Sequence, residues 1–172
     1  MNSNSPIVEQ LGLNFIEGST ELLHIVRPLW EKLNDLHAEK SPHFAEAFAK
    51  AGFLQRKVEL ENKAITGGLL VILGITKLEE CVAYCVCSIS KESSMSGACK
   101  LGEIDSIFIL APYRRRGIGR KLVQKCMEWF EMNEAEKVIV FVGVGNEEVL
   151  EFYKTFELLP LAIRLQQKRF SK

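Results

Sequence analysis

Between residues 99 and 144 three stretches of different periodicity follow one another, and their order restricts the fold more than any other feature of the chain. A β-rich run over 99–110 leads into 117–133, where Ile118, Leu122, Val123, Cys126, Met127, Trp129 and Phe130 recur at helical spacing. Residues 137–144 then hold Val138, Ile139, Val140, Phe141 and Val142 in a row, the pattern of a strand buried on both faces. A strand, a helix and a strand in that order form a crossover, which joins parallel neighbours with a right-handed turn. The chain therefore belongs to the α/β class.

Before that unit the periodicity is helical first and β later. Leu22, Leu23, Val26, Leu29, Leu33 and Leu36 mark a helix within 19–40, which Pro28 either kinks or starts. Ser41 and Pro42 read as a capped restart with Phe44, Ala47, Phe48 and Ala51 on one face, and Gly52 separates it from a further helical piece ending near Lys63. Runs at 69–76 and 81–90 read as strands joined by a hairpin-length link, and 91–97 as a polar, serine-rich loop. A weak strand at 11–17, a short helix at 147–156 and alternating Leu161, Ile163 and Leu165 complete the order. The expectation is one domain over 11–172 behind a mobile leader at 1–10. Its core is a mixed, mostly antiparallel twisted sheet of six or seven strands flanked by about four helices.

Composition narrows the function classes. Twenty-two Lys and Arg balance 22 Asp and Glu among 172 residues, so no global basic field draws the chain to nucleic acid. The longest near-apolar stretch, 67–75, is too short to span a bilayer, and the N-terminus lacks the basic start and apolar run of a secretion signal. These features point to a cytoplasmic protein with no membrane partner. Cys81, Cys85, Cys87, Cys99 and Cys126 are odd in number, which fits reduced thiols. With His24, His37 and His43 far from them in sequence, the cysteines form no second ligand pair, so no metal site is expected.

The stretch 112–121 carries the chemistry. It joins a strand to a helix and places Arg114, Arg115, Arg116, Arg120 and Lys121 around Gly117 and Gly119. A helix N-terminus presents unpaired N–H groups and the positive end of the peptide dipoles, so it accepts an anion. Glycines there let the backbone approach a phosphate, and the cations add attraction. A Walker loop is excluded because no Gly-Lys-Ser/Thr follows. The dinucleotide fingerprint is excluded because Leu122 stands where its third glycine belongs. A nucleic-acid patch built on Arg114–Arg116 and a solvated helix start remain as alternatives.

Arg114, Gly117 and Gly119 resemble the R/Q-x-x-G-x-G/A signature of the GNAT superfamily of acyl-CoA-dependent N-acyltransferases. Asn146, with Tyr153 seven residues later, matches that family's fourth helix, and the element order is similar. The resemblance runs over about 11–168 and is strongest over 99–158. Glu157 and Leu158 replace the family's usual Gly-Phe, and Val149 its usual Ala. The resemblance implies acetyl-CoA as cosubstrate, with no metal. Its site would be Arg114, Arg115, Arg116, Gly117, Ile118, Gly119 and Arg120, the amides of 115–120 holding the pyrophosphate. The strand edge at Ile107, Phe108 and Ile109 would pair with the pantetheine arm, and Asn146 would hydrogen-bond it.

Amide formation from an alkylamine requires the amine to lose a proton and the leaving thiolate to gain one. Glu103 and Asp105, eleven and nine residues before Arg114, share one strand face and lie at spacings where the family places a base. The family tyrosine implies Tyr153 as the acid on sulfur, and an N–H of 107–109 would polarise the carbonyl. Direct transfer in a ternary complex to a primary amine, small molecule or peptide, is the expected N-acetyltransferase activity. His37, Glu39, His43, Phe44 and the 91–97 loop would border the acceptor. A homodimer is compatible with this reading. The alternatives of a different class are a non-catalytic acyl-CoA sensor and a nucleic-acid-binding module.

Overall fold

The computed structural model describes residues 12–94, 97–143 and 145–165. In chain order it forms β1 (Asn14–Gly18), α1 (Leu23–Lys40), α2 (Ala45–Lys50), α3 (Phe53–Thr66), β2 (Leu69–Ile75), β3 (Cys81–Ser94), β4 (Gly97–Ile109), α4 (Ile118–Met132), β5 (Lys137–Val140) and α5 (Glu147–Lys154). The strands lie in the order β1-β2-β3-β4-β5. Every neighbouring pair is antiparallel except β4 with β5, which is parallel, as the crossover through α4 requires.

Both faces of the central strands are covered, and their side chains divide by parity. Leu70, Ile72, Cys85, Cys87 and Ile104 pack under Ile118, Leu122, Cys126 and Phe130 of α4 and Tyr153 of α5. Leu69, Val71, Leu73, Tyr84, Val86 and Phe108 pack on the opposite face against Leu23, Val26 and Leu29 of α1 and Phe53 and Leu60 of α3. Double burial explains why β2 has no polar position. Gly102 sets how close α4 comes: a Cβ there would stand 2.7 Å from Phe130 Cδ1.

Several expectations need correction. Five strands form among the described residues, not six or seven, flanked by five helices. Residues 161–165 are not a strand: Leu161, Ile163 and Leu165 are 95%, 81% and 90% exposed, so their alternation has no sheet to face. The apolar run at 137–144 pairs over only four residues and is a half-exposed sheet edge rather than a doubly buried strand. Within the polar run, residues 91–94 and Gly97 extend the β3–β4 pairing, where Lys91 pairs with Lys100 and Ser94 with Gly97. Pro28 neither starts nor ends α1, which continues through it. The leader at 1–10 lies outside the described residues.

Candidate functional site

The site begins where β5 stops. β5 accompanies β4 only from the Leu101–Lys137 pair to the Ile104–Val140 pair. At that level the β3–β4 register slips: Cys87 faces Ile104, Val86 faces Ser106, and Asp105 is the unmatched residue of a bulge. Beyond it β4 stays paired with β3, while its other edge has no strand beside it among the described residues. The Leu110 N–H donates to the Val82 carbonyl at 2.9 Å. By strand alternation Phe108 also turns its backbone to β3, and Ile107 and Ile109 turn theirs to the open edge. Phe108 therefore differs from its two neighbours: its ring belongs to the α1–α3 side of the core.

The loop after β4 turns twice through left-handed backbone. A 3-10 turn over Ala111–Tyr113 is followed by left-handed backbone at Arg115 (φ 58°) and Gly117 (φ 82°). The Arg114 N–H donates to the Ala111 carbonyl and the Lys121 N–H to the Gly117 carbonyl. Between them, none of the six N–H groups from Arg115 to Arg120 has a backbone acceptor among the described residues. Such a run of free donors at a helix start carries partial positive charge. Gly119 also has a packing role: a Cβ there would point at Ile109 Cδ1 (3.3 Å) and the Phe152 ring (3.5 Å), so this glycine lets α4 pack closely.

The arginines of the loop are mostly engaged by the protein. Arg114 donates from Nε to the Ile109 carbonyl at 2.9 Å and lies over the Phe108 ring. Arg115 reaches Glu148 at 3.4 Å, both highly exposed. Arg120 reaches Thr155 Oγ1 at 3.3 Å and lies over the Phe156 ring. Arg116 makes no hydrogen bond or ion pair among the described residues and lines a shallow groove with Lys77, Tyr113 and Thr76.

Asn146 caps α5 by position but not by side chain, because its Oδ1 accepts from Lys40 Nζ at 3.0 Å. Tyr153 is 2% exposed and sits in the cluster with Cys85 and Cys126. Burial first, then any charge on Cys85 and Cys126, pushes its phenol well above the ordinary range, so it keeps its proton. Cys85 and Cys126 lie 3.3 Å apart, sulfur to sulfur. The hydrogen bond to Cys126, and then burial, hold the Cys85 thiol high.

Glu103 and Asp105 do share one face, as their spacing predicts, and α3 covers them. Lys63 Nζ donates to Glu103 Oε2 at 2.6 Å and to Asp105 Oδ1 at 2.5 Å. Asp105 also accepts from Arg56 Nη2 at 3.1 Å and from the Ser88 hydroxyl at 2.5 Å, and its side chain is fully buried. Glu103 keeps 22% of its side chain exposed, and its Oε1 has no partner among the described residues. The sequence alone gives Arg56 and Lys63 no place in the site. The signal that could have found them is their spacing with Phe53 and Leu60: positions 53, 56, 60 and 63 form one inward stripe of a helix. Two cations on that stripe require buried counter-charges.

His37 of α1 stacks on Phe48 of α2 with ring centroids 5.5 Å apart. Burial, then the Lys40 charge, lowers its pKa, so the imidazole is neutral near pH 7. Among the described residues no cluster of His, Cys, Asp and Glu is arranged to hold a metal ion, and no helix is long and apolar enough to cross a membrane.

Comparison with known proteins places these features in a family. A model of the acetyltransferase (GNAT) family matches residues 29–157. An uncharacterized N-acetyltransferase of Methanocaldococcus jannaschii is 38% identical over 55 residues, 32% of this chain and 24% of that protein. The chain thus matches about a quarter of that relative's length. The crystal structure of an F44R mutant of a Bacillus halodurans protein superposes with a TM-score of 0.73 at 13% identity, covering 91% of this chain and 99% of that one. A structure of AAC(6')-Iy with a coenzyme A–acetylneamine bisubstrate analog superposes with a TM-score of 0.66 at 12% identity, covering 92% and 99%. At these identities the structural matches establish the fold.

Proposed function

Since the chain belongs to the GNAT acetyltransferase family, we propose that it is an N-acetyltransferase that moves an acetyl group from acetyl-CoA to a primary amine in a ternary complex. The observation that carries this reading is the run of six backbone N–H groups, Arg115 to Arg120, left without backbone acceptors at the start of α4. Their number and the left-handed turns at Arg115 and Gly117 fit a pyrophosphate, and Arg116 is available to add charge. The open edge of β4 at Ile107 and Ile109 fits an extended arm that pairs as a strand would. Asn146, at the N-terminus of α5, would hydrogen-bond the same arm.

Acetyl-CoA supplies the activated thioester. The chain's own groups handle charge and protons around it. Glu103 accepts a proton from the amine through Oε1, the oxygen that Lys63 leaves free. Asp105 does not touch the acceptor in this reading, because its carboxylate is enclosed by Arg56, Lys63 and Ser88. The Ile107 N–H polarises the carbonyl, and the Tyr153 phenol, held protonated by burial, supplies a proton to the thiolate.

Two measurements test the proposal. Calorimetry should show acetyl-CoA binding that is lost on altering the 115–120 backbone. Thiol release with a panel of primary amines, with the product mass raised by one acetyl group, should show transfer. Binding without any thiol release across the panel would favour the sensor reading, which the full burial of Asp105 and the near-full burial of Tyr153 support. No binding at all would overturn both.

A further inference from the structure

Lys63 stands in the last turn of α3, where the helix dipole favours a cation, and it joins the two acidic residues of β4. The carboxylates are not equivalent partners. Asp105 is fixed without Lys63: Arg56 holds Oδ1, Ser88 holds Oδ2, and no part of the side chain reaches solvent. Glu103 has no such anchor. Its one side-chain hydrogen bond among the described residues is to Lys63. The chain of attachment therefore runs from the buried Asp105 to Lys63 and from Lys63 to Glu103.

Resting on the reading of Glu103 as the base, the geometry points to Lys63 as the positioning residue of the transfer reaction. It holds Glu103 Oε2 so that Oε1 is left for the acceptor. Burial disfavours the charged form of Lys63, but hydrogen bonds to Asp105 and Glu103 outweigh it, so its pKa is raised and the ammonium persists through neutral pH. When the amine N–H breaks and an O–H forms on Glu103, Asp105 still holds Lys63 in place, and the proton on Glu103 passes on to solvent. The groups facing Glu103 are few: Lys63 from α3, Asp105 from β4, its register partner Ser88 from β3, and the apolar Ile139 from β5. Arg56, itself shared with Glu59, acts on Asp105 and not on Glu103.

The experiment compares Lys63→Met, Lys63→Arg and Glu103→Gln, each checked for folding by circular dichroism. With an acceptor from the amine panel, Lys63→Met should lower kcat about tenfold at pH 7. Its KM for acetyl-CoA should not change, and Lys63→Arg should restore kcat to within about threefold. A wild-type kcat in folded Lys63→Met, when Glu103→Gln has lost turnover, overturns the role of Lys63 and leaves the base standing. A wild-type kcat in Glu103→Gln overturns the base and the role of Lys63 with it. A readout free of any acceptor is the NMR titration of the 15N-labelled Lys63 ζ-amine. Glu103→Gln should lower its midpoint, and an unmoved midpoint overturns the coupling.

Discussion

Arg114 lies with its guanidinium carbon 5.4 Å from the centroid of the Phe108 ring while its Nε donates to the carbonyl of Ile109. The signature arginine is thus bound to the end of the strand that precedes it and shapes the loop rather than reaching out of it. Arg114→Ala should lose one charged hydrogen bond and one cation–π contact, about 1–2 kcal/mol of stability, and lower Tm by roughly 2–8 °C. Arg116, two residues on and without a hydrogen bond or ion pair among the described residues, should behave oppositely. Arg116→Ala should leave Tm within about 1 °C and weaken acetyl-CoA binding in calorimetry, more at low salt than at high salt. Equal effects of the two substitutions on Tm would contradict the assignment.

Gly117 is the loop position where a side chain is resisted by the backbone itself, at φ 82°. Gly117→Ala should cost about 1–2 kcal/mol, and by turning the 115–120 amides it should reduce acetyl-CoA affinity at least tenfold. Gly119→Ala tests packing instead, because its Cβ meets Ile109 and Phe152. It should lower Tm with a smaller loss of affinity. Calorimetry and thermal melts on the same samples separate the two outcomes.

Glu103 and Asp105, equivalent by spacing, should separate on substitution. Asp105→Asn leaves Arg56 and Lys63 facing a weakened buried partner and should cost about 3 kcal/mol or more in denaturant unfolding. Glu103→Gln should cost little stability, because its side chain is partly exposed, but should lower kcat at neutral pH. Raising the pH toward the amine pKa should recover much of that rate. A stability loss in Glu103→Gln as large as in Asp105→Asn would place both in the scaffold.

The parts of this molecule that were legible in the sequence are those written in local periodicity. The helical stripe of α4, the hairpin link at 77–80 and the strand-to-helix loop at 112–117 each depend on residues within a few positions of one another. What was not legible depends on partners. Leu161, Ile163 and Leu165 alternate as any strand does, yet a strand needs an edge to pair with, and alternation does not reveal whether one is offered. Val138 to Val142 read as doubly buried because apolar runs look alike at a sheet centre and at its edge. The ties from Lys63 to Glu103 and Asp105 span 40 and 42 residues, and only the inward placement of a cation on α3 hints at them.

Lys63 also gives a pH dependence of stability whose sign follows from its raised pKa. A lysine raised on folding stabilises fully below its unfolded value, near pH ~10.4. That contribution fades as pH climbs through the higher folded value. The stability gap between wild type and Lys63→Met should therefore be flat from pH 7 to 9 and shrink above pH ~10.4. Denaturant unfolding across that range measures it. A gap that shrinks on acidification from pH 9 to 7 would contradict a charged Lys63 as the stabilising form.

Tyr153 combines a protonated phenol with a place on the short helix that Asn146 begins, two turns away. Its ring is fixed by the core, with Phe152 beside it at 5.3 Å between centroids, so removal of the hydroxyl alone should leave the fold intact. Burial holds the phenol above its ordinary pKa, which fixes the sign of its pH effect. It stays protonated at every pH from 6 to about 10 and contributes no basic limb in that range. Tyr153→Phe should therefore lower kcat by the same factor at each pH, about 10²-fold, the lower end for loss of a general acid because a thiolate leaves readily. Acetyl-CoA affinity and Tm should stay near wild type. Steady-state kinetics from pH 6 to 10 decide the matter. A wild-type kcat removes Tyr153 from the reaction, and a loss confined to high pH assigns its hydroxyl to a titrating step instead of proton donation.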